Sequence, residues 1–418
     1  MGSTVANEAS VFDHVEYVPP DAIFELTLAF NADKDPRKVN LGQGTYKDEH
    51  GNPWILPAVR AAKASDAVRN ANHEYLPILG LPAFRTLVTE LVYGRDAAVI
   101  TEGRVAVSQS LSGTGALHLA GSVLYQTFRE RGPSPTAPLP PVYITNPTWS
   151  NHRQVFETIG FTVNDFRWAS PTTGSLDLPA ILEDLGKAPP HSIVVLHASG
   201  HNPSACDPTE AEWRHIASVI QQRQLLPLFD SAYLGIASGS YDADAFAIRH
   251  VANELQLETV VCVSFAKNMG LYGERVGHVS VTTKTVSAAQ ALQSRLAQQT
   301  RAEISNPPAF GARIVAAVLA DEKLRAQWEV DLVTMSGRIA AMRTALYEGL
   351  AKRGTPGDWK PIIQQKGMFS VLGLPRLTVV ELREKHHIYM ADSSRISIAG
   401  LNEGNVDYVA AALNSVLR

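Results

Sequence analysis

Four short apolar runs, each rich in β-branched residues and separated by stretches of helical pattern, constrain this chain more than any other feature. They are Val142 to Thr145, Ser192 to His197, Leu225 to Phe229 and Thr259 to Val263. A strand covered on both faces reads as a continuous apolar run, and strands separated by helices are joined by crossovers. The pattern therefore predicts an α/β fold with a mainly parallel sheet covered by helices. Glu210 to Gln224 supplies one crossover helix, with Trp213, Ile216 and Ile220 at helical spacing and Asp207-Pro208-Thr209 as its start signal. A stripe from Asp321 to Arg353, comprising Leu324, Trp328, Leu332, Met335, Ile339, Met342 and Leu346, predicts a long helix leading into a C-terminal domain. The expected division is residues 1–51 as an arm and part of a small domain, 52–320 as a large domain, and 321–418 as the rest of the small domain.

Composition narrows the class of function. A chain of 418 residues, 45% hydrophobic and 19% charged, is neither disordered nor fibrous. Its 37 Lys plus Arg against 41 Asp plus Glu, a net charge of -4, give no electrostatic footprint for nucleic acid or an anionic membrane. No apolar run approaches the roughly 20 residues of a membrane span, so small molecules are the expected partners. Cys206 and Cys262 lie far apart and suggest a reducing compartment without a disulfide framework or metal ligands. Met1 to Ser10 carries Glu8 and no apolar core, unlike a secretory signal or an arginine-rich transit peptide. Ala6 stands where a myristoylation motif needs Ser or Thr, and Ser415 to Arg418 is no peroxisomal signal, so the expected address is cytoplasmic. Arg131 to Pro141 reads as an exposed loop.

Ligands of open parallel sheets bind beyond the carboxyl ends of the strands, so the polar residues that end the apolar runs are candidates. Leu228-Phe229 leads into Asp230-Ser231-Ala232-Tyr233, Val194 to Leu196 into His197 and then His201-Asn202-Pro203, and Val261 to Val263 into Ser264-Phe265-Ala266-Lys267. Alone, Lys267 also reads as a side chain snorkelling to solvent, and Asp230 as a helix cap. Together they are what a pyridoxal cofactor needs: an amine for its aldehyde and an acid beside its ring nitrogen. Ser110-Leu111-Ser112-Gly113-Thr114-Gly115, ahead of an apolar helical run, has the form of a helix N-terminus aimed at an anion, although a purely structural turn would look the same. Arg275 could add the planar fork that phosphate favours.

At this point the chain resembles eukaryotic aspartate aminotransferases of the fold-type-I pyridoxal-phosphate class over nearly its whole length. The matching segments are Val39-Asn40-Leu41-Gly42, Glu74 to Leu81, Ser110 to Gly115, Asn146-Pro147-Thr148-Trp149, His201-Asn202-Pro203, Asp230 to Tyr233, Lys267-Asn268, Gly270-Leu271-Tyr272 and Ser305-Asn306-Pro307-Pro308. The resemblance implies a seven-stranded sheet, a smaller α+β domain, and pyridoxal 5'-phosphate held by Lys267 as a Schiff base. It implies Asp230 at the ring nitrogen, Tyr233 and Asn202 at the ring hydroxyl oxygen, Trp149 stacked over the ring, and His152 supporting Asp230. It also implies a phosphate cradle of Ser112, Gly113, Thr114, Ser264 and Arg275, with Tyr75 reaching in from the partner of a homodimer. Arg395 would bind the α-carboxylate, Gly44, Trp149 and Asn202 would touch substrate, and Arg301 of the neighbouring subunit would bind the distal carboxylate. The activity implied is transfer of the amino group between L-aspartate and 2-oxoglutarate.

Several positions depart from the family pattern. Gln43 replaces a valine that touches substrate, so a polar group is expected over the amino acid. Ala266 replaces a serine, Met269 a phenylalanine, Ile304 a tryptophan, and Ser204-Ala205-Cys206 a Thr-Gly-Thr. None removes a group that the amine chemistry requires. They keep open a specialised pyridoxal-phosphate enzyme that decarboxylates, eliminates or condenses an aspartate-like amino acid, and, from a different class, an inactive binding protein on the same fold.

Overall fold

The computed structural model describes residues 10–134, 136–170 and 173–418. Residues 1–9, on which the expectations about a leader rest, and Pro135 of the expected loop lie outside them. Among the described residues the strands are β1 (Val39–Asn40), β2 (Val105–Leu111), β3 (Val142–Asn146), β4 (Val163–Arg167), β5 (Ile193–His197), β6 (Leu226–Ser231), β7 (Thr259–Ser264), β8 (Val276–Thr282), β9 (Phe369–Val371), β10 (Ile388–Tyr389) and β11 (Arg395–Ser397). Seven form the main sheet in the order β2-β8-β7-β6-β5-β3-β4. All its neighbours are parallel except at β8, which runs antiparallel to both β7 and β2. The four apolar runs are β3, β5, β6 and β7, in the centre of the sheet and towards one edge.

The sequence pattern did not reveal β2, β4 or β8, for a physical reason. Buried β8 carries His278 and Ser280, and β2 carries Ser108, Gln109 and Ser110, so neither is an apolar run. Most of their polar atoms are paired instead: Ser280 Oγ lies 2.8 Å from Tyr93 Oη, His278 Nε2 3.3 Å from Thr89 Oγ1, and Gln109 Nε2 donates to Pro308 O at 2.7 Å, while His278 Nδ1 is buried without a partner. Buried polar groups are tolerated when so bonded.

The crossover helix is Glu210–Gln222, begun by a capping box in which Thr209 and Glu212 bond each other's backbone. It stops two residues before the expected end, and Gln224 turns to φ 53°. The long C-terminal stripe is the helix Glu322–Lys352, capped by Asp321, whose carboxylate accepts from Lys323 N and Leu324 N at 2.9 and 3.0 Å. Trp328 on this helix donates its indole N–H to Asn268 O at 2.7 Å, tying the helix to the turn beyond β7.

Two small sheets complete the fold. β1 pairs in parallel with β10, which joins the N-terminal segment to the C-terminal region, and β9 pairs antiparallel with β11. Among the described residues no helix is long and apolar enough to cross a membrane. The two cysteines are buried and unbonded to each other.

Candidate active site

Strands β5, β6 and β7 end on one cavity of about 700 Å³, a size suited to a cofactor and a small substrate. Its wall includes Gly44, Ser112, Gly113, Thr114, Trp149, Asn202, Asp230, Tyr233, Ser264, Lys267, Arg275 and Arg395. Twelve of the fourteen residues expected from the sequence to touch cofactor or substrate therefore meet in one place. The other two, Tyr75 and Arg301, do not line it: Tyr75 is 87% exposed, and Arg301 lies exposed in the last turn of the helix Val286–Glu303, bonded to Ser305 Oγ.

Lys267 lies three residues beyond β7, half-buried, and its Nζ makes no hydrogen bond or ion pair with a described residue; it lies 4.9 Å from the centre of the Tyr233 ring. Burial pushes its amine below the ordinary lysine value; the carboxylate of Asp230 opposes this and Arg275 adds to it. Asp230 is buried near the end of β6, with Oδ2 3.0 Å from His152 Nε2. Burial works against its ionisation, but the hydrogen bond from His152 and the charges of His152, His197 and Lys267 outweigh it and hold the carboxyl below the ordinary range. Thr148 Oγ1, 2.8 Å from Nδ1 of His152, fixes the ring from its other side. Oδ1 of Asp230, a residue of the cavity wall, makes no hydrogen bond with a described residue.

His197 and His201 extend this cluster. The His197 ring centre lies 5.0 Å from that of His152 and 4.5 Å from that of His201, and both His197 nitrogens are buried without a hydrogen bond. Burial, then the neighbouring imidazoles, push His197 well below the ordinary histidine value. His152, His197 and Asp230 bring three donor atoms within 4.8 Å of one another, but His152 Nε2 is engaged by the carboxylate rather than turned towards a shared metal. His197 stood in the sequence at the end of an apolar run without a role, because nothing local shows which imidazoles will stack across strands.

At the anion end, Ser112 takes φ 59° where β2 turns into the helix Ser112–Arg131, whose N-terminus has no side-chain cap. Its first N–H groups are therefore available to an anion. Ser112 Oγ lies 2.8 Å from Ser264 Oγ, and a Cβ on Gly113 would come 3.3 Å from that of Ser264. Arg275, at the exposed rim, completes this end and donates to Tyr272 O at 2.9 Å.

Arg395, the first residue of β11, donates from Nη2 to Gly42 O at 2.6 Å and from Nη1 to Asn202 Oδ1 at 3.4 Å, while its buried Nε has no partner. Its guanidinium lies 4.5 Å over the Phe369 ring. A Cβ on Gly44 would come 2.8 Å from Phe369 Cζ, so glycine lets the chain pass beneath this stack. Tyr233 meets the same ring edge-on at 5.8 Å, and burial pushes its phenol up. Phe369 gave no signal in the sequence; it is one apolar residue in a three-residue strand.

The departures fall mostly outside the cavity. Gln43 corrects an expectation: its amide donates to Thr27 Oγ1 at 3.2 Å, and Gly44 rather than Gln43 lines the wall. Met269 is buried in the core, Ile304 ends the helix Val286–Glu303, and Ser204 bonds His201 Nδ1 at 2.8 Å. Ala266 does line the cavity.

Residues 36–413 match the family model for aminotransferase class I and II. The chain is 43% identical to the cytoplasmic aspartate aminotransferase of Saccharomyces cerevisiae, covering 98% of each chain, and the solved structure from that yeast's cytoplasm superposes with a TM-score of 0.92. It is likewise 43% identical to the cytoplasmic aspartate aminotransferase of Gallus gallus, over 98% of both. An aromatic-amino-acid aminotransferase from Burkholderia pseudomallei, solved covalently bound to pyridoxal phosphate, is 40% identical over 98% of this chain and 100% of that one, with a TM-score of 0.92.

Proposed function

The chain belongs to the aminotransferase class I and II family, and from that premise we propose that it is a pyridoxal-phosphate-dependent aminotransferase exchanging the amino group between L-aspartate and 2-oxoglutarate. The observation that carries the reading is an unpaired, desolvated amine at Lys267 sharing one cavity with a carboxylate held ionised at Asp230 and a guanidinium at Arg395.

The residues fit the cofactor. An uncapped helix N-terminus and the Ser112–Ser264 hydroxyl pair suit a phosphate, and a Cβ at Gly113 would narrow that cradle. Asp230 Oδ1 and Lys267 Nζ are uncommitted groups of the kinds that a pyridinium nitrogen and an aldehyde require. Pyridoxal phosphate, when bound, supplies an aldehyde for amines and a protonated ring that draws electrons from the substrate's Cα.

The chain's own groups do the rest. Ser112, Gly113, Thr114, Ser264 and Arg275 would anchor the phosphate, Asp230 would keep the proton on the ring nitrogen, and Tyr233 and Asn202 would bond the ring hydroxyl oxygen. Lys267, whose cation burial disfavours, would take the proton from Cα and carry it on its Nζ. Arg395 grips the α-carboxylate, with Gly44, Trp149 and Asn202 around the substrate. We propose a homodimer in which the partner supplies Tyr75 to the phosphate and Arg301 to the distal carboxylate, since both are exposed outside the chain's own cavity. The pairing of β1 with β10 supports the division into residues 52–320 and a small domain of residues 1–51 with 321–418. A cytoplasmic address is proposed from relatives described as cytoplasmic.

The test is to follow the absorbance of the cofactor-loaded protein on adding L-aspartate, with oxaloacetate measured by coupled reduction. Bleaching of the bound chromophore with one oxaloacetate per site, and L-glutamate once 2-oxoglutarate is supplied, is expected. Bleaching with a different product would move the assignment to decarboxylation, elimination or condensation.

A further inference from the structure

We propose that Asp21 tunes substrate affinity: its carboxylate, fixed at the mouth of the cavity, opposes the substrate's α-carboxylate at Arg395 and sets how tightly every amino or keto acid is held. This deepens the function proposed above and rests on it. Asp21 is the N-cap of the helix Ala22–Ala32, and its Oδ1 accepts from Ile23 N at 2.9 Å and Phe24 N at 3.3 Å, which restrains the side chain. Asp21, Ile23 and Phe24 line the same cavity as Arg395. The charge of Asp21 acts on that guanidinium, opposing the burial that disfavours its cation.

Of the charges on the cavity wall, these two remain once the cofactor end is set aside. The wall's carboxylates are Asp21 and Asp230, and its cations are Lys267, Arg275 and Arg395. Asp230 is bonded to His152, and Lys267 and Arg275 belong to the cofactor end. Arg395 is held by Gly42 O and Asn202 Oδ1 with Nε unpartnered, and it has no hydrogen bond or ion pair with Asp21. Asp21 thus contributes negative charge without occupying the fork. It stabilises the guanidinium in the open cavity and repels an arriving anion, so substrate is bound more weakly than by the arginine alone.

Asn caps a helix as well as Asp, so Asp21→Asn removes the charge and keeps the helix start, whereas Asp21→Ala removes both. In the holoenzyme Asp21→Asn is expected to lower KM for L-aspartate and for L-alanine by the same factor, roughly threefold to fivefold, with kcat little changed. The Kd of maleate, a dicarboxylate that does not react, should fall alike when read by tryptophan fluorescence, and the gain should shrink as salt rises. Wild-type KM and Kd in Asp21→Asn, or weakening seen only in Asp21→Ala, would reduce Asp21 to a cap and overturn the proposal. Should the wild type turn over no L-aspartate, the proposed function fails, while maleate binding still decides the role of Asp21.

Discussion

The two ends of the cavity are built from different material. The cofactor end consists of strand termini in one sheet: Asp230 on β6, Ser264 on β7, Lys267 just beyond it, and Ser112 where β2 becomes a helix. Its carboxylate is fixed by a three-member relay, Thr148 to His152 to Asp230, closed by bonds of 2.8 and 3.0 Å. The substrate end is assembled from places far apart in the chain: Gly44 after β1, Asn202 after β5, Arg395 on β11, and the exposed cap Asp21. There Arg395 is held by one short and one long hydrogen bond, and its Nε is unpaired. On the proposed function, the contrast teaches that the reaction would be carried by a desolvated frame, while affinity and selectivity would be set by loosely bonded groups that can change separately. Substitutions at the first end should act on chemistry or stability, and those at the second on KM.

The largest effect is expected from Lys267→Ala, which should lower turnover by roughly 10⁴-fold or more because the proton carrier is gone. Its thermal midpoint should be unchanged or higher, since a desolvated, unpaired amine has been removed; substantial residual turnover would break the division between the two ends. Next, Arg395→Ala should raise KM by roughly 10²-fold for L-aspartate and L-alanine alike. Arg301→Ala should weaken dicarboxylic substrates only, and an equal loss for alanine would refute its assignment to the distal carboxylate.

His152→Ala sharpens the comparison from the cofactor end. Leaving Asp230 without its hydrogen bond should cost about 1–3 kcal/mol of stability at pH 7, read by urea unfolding. Asp230 has a folded pKa below its unfolded value, so its contribution is present above about pH 4 and is lost as pH falls through the folded value. The gap between wild type and His152→Ala should therefore narrow in acid. The smallest effect is expected from Gly44→Ala, whose Cβ would lie 2.8 Å from Phe369 Cζ. Displacing the ring under Arg395 should raise KM several-fold while changing stability by less than about 1.5 kcal/mol.

The same division explains what could be read in the sequence. Asp230 and Ser264 end apolar runs and Lys267 follows one, and a polar group at the end of such a run is a local signal. The long helix was visible within a residue at each end because its stripe is strongly periodic. Strands β2 and β8 were not, since buried Gln109 and His278 break the apolar run and find their partners on distant elements. At the substrate end, neither the stacking of Phe369 under Arg395 nor the place of Asp21 at the cavity mouth has a local signature. Gln43 shows the limit of arguing from neighbours in sequence: one residue from Gly44, it turns away to Thr27.

On the proposed function, one desolvated amine would hold the cofactor. Borohydride reduction of the loaded protein, followed by mass spectrometry of its peptides, tests it most directly. A pyridoxyl group on Lys267 and on no other lysine is the expected result. An unmodified Lys267 peptide, or the label on another lysine, would contradict it.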